Sequence, residues 1–267
     1  MKGKTILVTG STDGIGKRTA LDLARMGAVV LVHGRTEERA AATAREIAKE
    51  TGAKVDSVTG DYSSLAQVRD MAGQVLAKTD RLHVLVNNAG TYANERRLTD
   101  DGYEMSWQVN HLAPYLLTIL LLDLLKTSAP ARIVNVASMT HAYAKLDYEN
   151  LQGEKEFKGT RAYSLAKLGN VMATFHLAEK LAGSGVTVNC LHPGVVETKL
   201  LKMSYNIEGV SVEASARTSV YLASSPEVEG VTGKYFDNQK EVQPSRLSLD
   251  ATERQRFMDV TDKMLGF

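Results

Sequence analysis

Six short apolar segments, rich in β-branched residues, recur along the chain and predict buried strands. Each is apolar almost throughout, instead of alternating with polar residues, which is typical of strands covered on both faces in a parallel sheet. The predicted strands are Thr5–Thr9, Ala28–His33, Lys54–Thr59, Leu82–Asn87, Arg132–Ala137 and Val186–Leu191. The pattern therefore predicts a parallel sheet with helices on both sides.

Segments of helical length separate these strands. They include Gly16–Met26, Thr36–Thr51 and Leu65–Lys78, and Gly27 and Gly52 follow the first two, where a left-handed residue would end a helix. Regular alternation of strand and helix implies right-handed crossovers. The sequence thus predicts an α/β fold built on a doubly wound parallel sheet.

The rest of the chain shows no linker or short repeat, so we predict a single domain over residues 1–267. A long helical region from about Asp101 to Lys126 contains Pro114, which predicts a kink near Ala113. A capping-box-like sequence predicts a C-terminal helix over about 250–265.

Composition and charge weigh against several classes of function. The chain is 43% apolar and 24% charged, as in ordinary globular proteins, and its formal charge of +1 gives no argument for binding nucleic acid. The most apolar segment, Tyr115–Leu125, has about half the length of a membrane span and contains Asp123. Cys190 has no disulfide partner, and the spacing of cysteine and histidine offers no metal site. We therefore expect a cytoplasmic protein without a membrane span or a metal.

A glycine-rich loop lies between the first predicted strand and the first helix. Glycines let the backbone turn tightly and approach a pyrophosphate, and the free N–H groups of a helix start stabilise its charge. The residues expected to hold the phosphates are Gly10, Ser11, Thr12, Gly14, Ile15 and Gly16. A glycine-rich turn without a ligand is the alternative, but the strand–loop–helix context favours a dinucleotide.

The glycine spacing, Gly-x3-Gly-x-Gly, resembles that of the short-chain dehydrogenase/reductase family. Further family positions follow in order along almost the whole chain: Asp61, residues 87–90, Asn110, Ser138, Tyr163, Lys167 and residues 193–198. Residues 108–112, 189–196 and 233–236 are similar to the retinol-dehydrogenase-like branch. The resemblance implies a Rossmann-type fold, a nicotinamide cofactor and hydride transfer between that cofactor and a carbonyl or alcohol.

The resemblance also implies further contacts to the cofactor. Asp61 would accept a hydrogen bond from the adenine amino group, although a simple helix N-cap is the alternative role. Thr198 and the backbone around it would hold the carboxamide. The remaining expected contacts are Tyr62, Asn88, Ala89, Gly90, Asn110, Tyr163, Lys167, Pro193, Gly194 and Val196.

The end of the second strand indicates NADP(H) in preference to NAD(H). A carboxylate there would bind the adenosine ribose hydroxyls and repel a 2′-phosphate, whereas an arginine would bind the phosphate. The chain has His33, Gly34 and Arg35 at this place, and no carboxylate before Glu37. Asp13 argues the other way, because many NADP-preferring relatives carry a basic residue there. A solvated Arg35 without a ligand is the alternative interpretation.

Tyr163 and Lys167 lie four residues apart on a predicted helix and so share one face. Free tyrosine titrates at about pH 10, and we expect the ammonium of Lys167 to lower the pKa of Tyr163. Ser138, at the end of the fifth strand, would hydrogen-bond the substrate oxygen, and Asn110 would hold a water that links Lys167 to solvent. By resemblance, Lys167 also bonds the nicotinamide ribose. In carbonyl reduction, Tyr163 would protonate the oxygen.

The predicted pocket is mostly apolar, so we expect its small-molecule substrate to be an apolar aldehyde or ketone. Its walls are expected to be Tyr92, Met139–Tyr143 and a loop over about 199–212. His111, His141 and His192 are interpreted as structural or pocket-lining, with His141 the most favoured to approach the substrate. Cys190 is interpreted as a buried structural thiol.

Two other functions are compatible with the fold. A non-catalytic dinucleotide-sensing or scaffold protein would keep the sheet but would not need a proton donor such as Tyr163. An epimerase or dehydratase of the wider superfamily usually carries an extra substrate domain, for which 267 residues leave no spare length. Both alternatives are therefore disfavoured by the residues present.

The spacing between Ser138 and Tyr163 indicates how the protein assembles. Ser138 and Tyr163 are 25 residues apart, more than in the tetrameric family members. The additional stretch, Tyr148–Gly159, is rich in charge, so we expect a solvated excursion that covers the surface through which the Tyr163 helices of tetramers pack. A monomer, or a dimer built through another surface, is predicted.

Overall fold

A computed structural model describes residues 1–194 and 211–267 and confirms the doubly wound α/β sheet. Its strands are β1 (Thr5–Val8), β2 (Val29–Gly34), β3 (Val55–Thr59), β4 (Val84–Asn87), β5 (Ala131–Val136), β6 (Val186–His192), β7 (Lys234–Asp237) and β8 (Lys240–Glu241). They form one sheet in the order β3-β2-β1-β4-β5-β6-β7-β8. Strands β1 to β7 run parallel, and β8 pairs antiparallel with β7.

Helices cover both faces of the sheet. In the described chain they are α1 (Gly14–Arg25), α2 (Glu37–Thr51), α3 (Leu65–Lys78), α4 (Met105–Trp107), α5 (Ala113–Leu120), α6 (Leu122–Thr127), α7 (Gly159–Lys180), α8 (Val212–Ser224), α9 (Arg246–Leu249) and α10 (Ala251–Leu265). Helices α1, α2 and α8 pack on one face, and α3, α5, α7 and α10 pack on the other. None of these helices combines the length and the apolar character that crossing a membrane requires.

The apolar runs of the strands follow from this two-sided packing. In β1, Leu7 points into the core on one face, while Ile6 and Val8 point into the core on the other. The edge strand β3 differs, because Val58 is its one buried residue and polar side chains such as Asp56 stay partly accessible. The prediction that every strand is covered on both faces is therefore wrong for β3, which has a neighbouring strand on one side alone.

The predicted helix ends are largely confirmed. Gly27 and Gly52 have φ angles of 82° and 69°, the left-handed conformation that glycine adopts without strain. Thr36 caps α2 and Ser64 caps α3 through hydroxyl oxygens that accept backbone N–H groups. At the C-terminus, Asp250 caps α10 in the same way.

The long helix predicted over Asp101–Lys126 is broken into shorter pieces. A π-helical segment, Gln108–Leu112, separates α4 from α5, and the chain changes direction again at Leu121, before α6. Pro114 has no N–H with which to bond the carbonyl four residues earlier, so the backbone widens just before it. The predicted irregularity near Ala113 is thus present as a π-helical segment.

Helix α10 packs against α7 and covers it within the same chain. Phe257 and Met258 are buried in the interface, and Arg254 forms an ion pair with Glu179 on α7 at 2.5 Å. Helix α7 is buried on nearly all sides, which explains why it shows no amphipathic pattern. The C-terminal helix therefore covers one face of α7 within the same chain.

The stretch Tyr148–Gly159 covers less of α7 than predicted. Residues 154–156 are exposed, as predicted for a solvated excursion, but Asn150 and Leu151 are buried. Tyr148 packs on the start of α10, with its ring 3.9 Å from the guanidinium carbon of Arg256. The stretch thus supports α10, and the cover of α7 comes mainly from the C-terminal helix.

We expect the protein to be a monomer, or a dimer formed through a surface other than α7, because α10 already fills that helix's outer face. Light scattering at micromolar concentration should give a mass near 29.0 kDa, or twice that value. A tetramer with α7 at its interface would contradict this prediction.

Candidate active site

The carboxyl ends of the parallel strands border a cavity of about 1660 Å³. It lies where the strand order reverses between β1 and β4, the position at which doubly wound sheets bind ligands. The predicted site residues that line it are Gly10, Thr12, Gly14, Ile15, Gly16, Arg35, Asp61, Tyr62, Asn88, Ala89, Gly90, Ser138, Tyr163, Lys167, Pro193 and Gly194. Val196 and Thr198 lie outside the described residues.

The phosphate loop has the geometry that its glycines predict. Gly10 has a φ of 63°, and a Cβ atom on it would lie 2.8 Å from the Cα of Ala89. A Cβ on Gly16 would lie 2.4 Å from the carbonyl oxygen of Gly10. Gly14, with a φ of 55°, starts α1 beside its N-cap Asp13. A Cβ at Gly10 or Gly16 would thus collide with neighbouring backbone, whereas one at Gly14 would meet no atom within 4 Å.

Ser11 does not line the cavity, although the sequence analysis placed it among the phosphate contacts. Its hydroxyl donates to the carbonyl of Val8 at 2.7 Å and accepts the N–H of His33 at 2.8 Å. Both bonds are internal, so Ser11 fastens the loop to β2 instead of facing a ligand.

His33 is buried and belongs to the same hydrogen-bonded framework. This role was not predicted from the sequence. Its Nδ1 accepts the N–H of Gly10 at 3.0 Å, its Nε2 lies 2.8 Å from the carbonyl oxygen of Gly60, and its ring stacks on Tyr62 at 5.1 Å. The histidine therefore joins the ends of β1, β2 and β3. The available signal was a histidine at the end of an otherwise apolar strand.

Asn88 fixes the end of β4 against the phosphate loop. Its side-chain amide donates to the carbonyl of Thr9 at 2.8 Å, and its backbone N–H donates to the Thr9 hydroxyl at 2.9 Å. A Cβ on Gly16 would lie 2.3 Å from the Asn88 amide nitrogen. The absence of a side chain at Gly16 therefore allows the loop to pack against the end of β4.

One end of the cavity, beside β2 and the start of α2, carries two exposed arginines, Arg35 and Arg39. Neither forms an ion pair with a carboxylate in residues 1–194 or 211–267, whereas nearby Lys17 bonds Glu46 at 2.8 Å. Arg39 lies in the first turn of α2 and was not among the predicted contacts. The signal available in the sequence was an arginine in the first turn of the helix that follows the second strand.

Asp61 lines the same end of the cavity. Its carboxylate accepts the backbone N–H of Ser63 at 2.9 Å and the Ser63 hydroxyl at 2.8 Å. Ser64, and not Asp61, caps α3, so the alternative of a simple helix N-cap is wrong. The adenine contact implied by the family resemblance remains a prediction.

Three of the proposed catalytic side chains, Ser138, Tyr163 and Lys167, line the same cavity. Ser138 follows β5, and Tyr163 and Lys167 lie in the first half of α7. The Nζ of Lys167 is 5.5 Å from the centre of the Tyr163 ring and donates to the Val136 carbonyl at 2.9 Å. The Tyr163 ring also makes an edge contact with Tyr92 at 5.8 Å.

The expectation that Lys167 lowers the pKa of Tyr163 is wrong in this structure. Burial raises the pKa of Tyr163 to about 12, and the Ser138 hydroxyl opposes that rise only in part. Burial also lowers the pKa of Lys167 to about 8. A dry environment disfavours the charged form of each group. At neutral pH the phenol of Tyr163 therefore keeps its proton and can donate it.

Asn110 is buried in the π-helical segment and does not line the cavity. Its side-chain amide donates to the carbonyls of Thr91 at 2.9 Å and Ser106 at 2.8 Å, and its side-chain oxygen accepts the N–H of Thr91 at 2.8 Å. A Cβ on Gly90 would lie 2.7 Å from that oxygen. Asn110 thus holds the loop after β4, and its predicted role in a water relay is a separate proposal.

The substrate side of the cavity is less apolar than predicted. Tyr92, Met139, Thr140 and Tyr143 line it as expected, and so do Lys145, Glu156, Lys158 and Arg161. Lys158 pairs with Glu156 at 3.0 Å, and Arg161 pairs with Asp147 at 3.4 Å. Residues 199–210 of the predicted substrate loop lie outside the described residues.

The histidines differ in their surroundings. His192 lines the cavity, and His111 packs among aromatic rings and bonds Thr261, as predicted for pocket-lining and structural roles. His141 does not line the cavity, and both of its ring nitrogens bond the protein, so the prediction that it approaches substrate is wrong. Cys190 is buried, as predicted. In the described part of the chain, no cluster of His, Cys, Asp and Glu could hold a metal ion.

The chain is similar in sequence to a family model and to named dehydrogenases. A family model described as short chain dehydrogenase matches residues 4–208. Retinol dehydrogenase 14 of Mus musculus is 39% identical over 291 residues, covering 100% of this chain and 87% of the relative. Retinol dehydrogenase 13 of Homo sapiens is 38% identical, covering 99% of this chain and 85% of the relative.

Two solved structures are also similar. A crystal structure of an uncharacterized protein from Mycobacterium Paratuberculosis has a TM-score of 0.82 and 28% identity, covering 98% of this chain and 93% of the other. A complex of Pseudomonas aeruginosa RhlG with NADP at the active site has a TM-score of 0.74 and 26% identity, covering 89% and 95%.

Proposed function

We propose that this chain, which belongs to the short-chain dehydrogenase family and is retinol-dehydrogenase-like, transfers a hydride between NADP(H) and a carbonyl or alcohol, with Tyr163 handling the proton. Membership of the family makes it an oxidoreductase that uses a nicotinamide dinucleotide. The observation that carries the proposal is that Ser138, Tyr163 and Lys167 line the same cavity as the glycine loop.

The residues of the cavity fit such a cofactor. Gly10 and Gly16 let the loop pack tightly against Ala89 and Asn88 at the start of α1, where the helix dipole favours an anion. A Cβ on Gly90 would lie 2.7 Å from the Asn110 side-chain oxygen and 3.7 Å from Lys167 Nζ, so a glycine there lets the chain after β4 lie close to Lys167. When bound, the nicotinamide supplies or accepts the hydride. Lys167 would hold its ribose, and the loop glycines would hold its phosphates.

In the direction of reduction, Tyr163 donates its phenolic proton to the carbonyl oxygen of the substrate. The Ser138 hydroxyl hydrogen-bonds the same oxygen, where negative charge develops. When Lys167 carries its positive charge, it stabilises the Tyr163 phenolate that remains. A water held by Asn110 would then return a proton from solvent through Lys167. In oxidation, each proton moves the other way.

Arg35 and Arg39 support NADP(H) as the cofactor. Their charges are not neutralised by a described carboxylate, and a 2′-phosphate would gain charge-assisted hydrogen bonds from them. The Pseudomonas aeruginosa neighbour was solved with NADP. Asp13 on the rim of the cavity acts against a phosphate, so the preference rests on the two arginines together.

We propose an apolar aldehyde or ketone as the substrate. Tyr92, Met139 and Tyr143 place apolar surface beside the catalytic group, and the relatives are named for retinol, a large apolar alcohol. The charged side chains of the substrate side lie on its accessible rim. We also propose a cytoplasmic location, on the basis of the amino-acid composition.

Changing Tyr163 to Phe should lower carbonyl reduction by about 100-fold or more, because only the proton donor is lost. NADPH affinity should stay within about threefold, since the ring remains. Lys167→Ala should damage both turnover and NADPH binding. Turnover is measured by NADPH absorbance over a series of aldehydes and ketones of graded size, and binding by fluorescence.

Tyr221→Phe, on α8 away from the cavity, serves as the control and should keep wild-type turnover. If Tyr163→Phe retained most of its activity, the mechanism would be wrong. If the wild-type protein bound NADPH but reduced none of the carbonyl compounds, the non-catalytic alternative would be favoured.

Changing Arg35 to Asp should weaken NADPH binding by about 10- to 100-fold and leave NADH binding unchanged or tighter, because a charge-assisted bond is replaced by repulsion. Arg45→Asp makes the same charge change on an exposed part of α2 outside the cavity and should leave the NADPH/NADH ratio unchanged. Equal losses for both cofactors in Arg35→Asp would show that Arg35 supports the fold instead of selecting the phosphate.

The pH dependence should have opposite signs in the two directions. As pH rises through the Lys167 pKa of about 8, the ammonium is lost and no longer stabilises the phenolate formed in reduction. The kcat/KM for reduction should therefore be flat below that pH and fall above it. Alcohol oxidation starts from the Tyr163–Lys167 pair with one proton fewer, a state that rising pH populates, so its kcat/KM should rise. The residual activity of Lys167→Ala should lack this step. A reduction rate that stayed constant to pH 10 in the wild type would contradict the assignment.

A further inference from the structure

His141 is fully engaged by the protein. It lies in a 3-10 turn, Met139–Tyr143, and its Nδ1 is 2.7 Å from the carbonyl oxygen of Ser138. Its Nε2 is 3.1 Å from the backbone nitrogen of Ser245. A carbonyl can only accept and an N–H can only donate, so Nδ1 carries the proton and Nε2 the lone pair. The contacts thus select one neutral tautomer, and burial lowers the pKa of His141 in agreement.

One end of this bridge is a residue of the catalytic group. The carbonyl of Ser138 accepts from Nδ1 of His141 and, at 3.2 Å, from the His141 backbone N–H. The Ser138 hydroxyl in turn accepts the N–H of Thr140 at 3.3 Å. The backbone that carries the Ser138 hydroxyl is therefore held from the side of His141.

The other end is the start of the C-terminal segment, Ser245–Leu265. Ser245 caps α9, and the chain passes directly from α9 into α10, which packs on α7. The His141 ring is also fixed from β7, because it packs on Tyr235 with 4.8 Å between ring centres. Helix α7 carries Tyr163 and Lys167, so the C-terminal segment is linked to Ser138 through His141 and packs on the helix that carries the other two side chains.

We propose that His141 is a positioning residue that fixes Ser138 for catalysis and couples it to the C-terminal segment. The inference rests on the proposed function, because Ser138 must act on a substrate oxygen for its position to matter. A small displacement of such a hydroxyl weakens the hydrogen bond to the developing charge and slows the chemical step. NADPH binding uses other residues, so we expect it to stay intact when His141 is changed.

Three substitutions at His141 separate positioning from packing. His141→Phe keeps a ring against Tyr235 but removes both bonds, His141→Asn places an N–H near the Nδ1 position, and His141→Gln reaches only toward the Nε2 position. We expect kcat for reduction to fall by about 10- to 100-fold in the Phe and Gln variants, with the KM for NADPH within about twofold. In the Asn variant, kcat should return to within about threefold of wild type, because the bond to Ser138 is restored.

A kcat of His141→Phe within twofold of the wild type would overturn the proposal, as would equal losses in all three variants or rescue by Gln alone. Circular dichroism and thermal melting check that each variant folds. The wild-type rate separates the two hypotheses. No turnover by the wild type would refute the proposed function, whereas wild-type turnover with an unaffected Phe variant would refute only the role of His141.

A pair of substitutions at Ser245 tests the coupling without changing the histidine. Ser245→Ala removes the hydroxyl cap of α9 and keeps the backbone N–H, whereas Ser245→Pro removes both and suits the local φ of −59°. We expect Ser245→Pro to lower kcat about fivefold or more below Ser245→Ala, with equal KM for NADPH. Equal kcat values in the two variants would overturn the coupling to the C-terminal segment.

Discussion

The close approach of two backbones, the loop after β1 and the end of β4, is the constraint on which the remaining site depends. Gly10 and Gly16 allow it, and the side-chain amide of Asn88 fastens it at 2.8 Å to the carbonyl of Thr9. Strands β1 and β4 are neighbours at the reversal of strand order, and residues at the carboxyl ends of both strands line the cavity. A side chain at either glycine would collide with neighbouring atoms and push the loop away from the end of β4.

Burial of α7 connects the position of the catalytic residues with their chemistry. The sheet and helix α10 enclose this helix, so Tyr163 and Lys167 have little freedom. The same enclosure removes water, which raises the pKa of Tyr163 to about 12 and lowers that of Lys167 to about 8. Position and protonation state therefore have one cause, the packing of an almost fully buried helix.

The two ends of the cavity differ from this dry centre. At the end beside β2 and α2, Arg35 and Arg39 are exposed, and at the opposite rim Lys158 and Arg161 form ion pairs with nearby carboxylates. Exposed charges are screened by solvent and salt, so they select among ligands without fixing the backbone. The buried hydrogen bonds of Ser11, His33 and Asn110 hold the backbone instead.

The sequence by itself determined the order of strands and helices, the glycine loop and the Tyr163–Lys167 pair, because these depend on residues close together in the chain. Only the tertiary structure decided which way a polar side chain faces. Ser11 and Asn110 turn inward to backbone groups, and His141 links Ser138 to Ser245, which lies 104 positions after His141 in the chain. It also decided the sign of the Tyr163 pKa shift. Local patterns record which positions are apolar, whereas hydrogen-bond partners and desolvation arise from segments that meet only after folding.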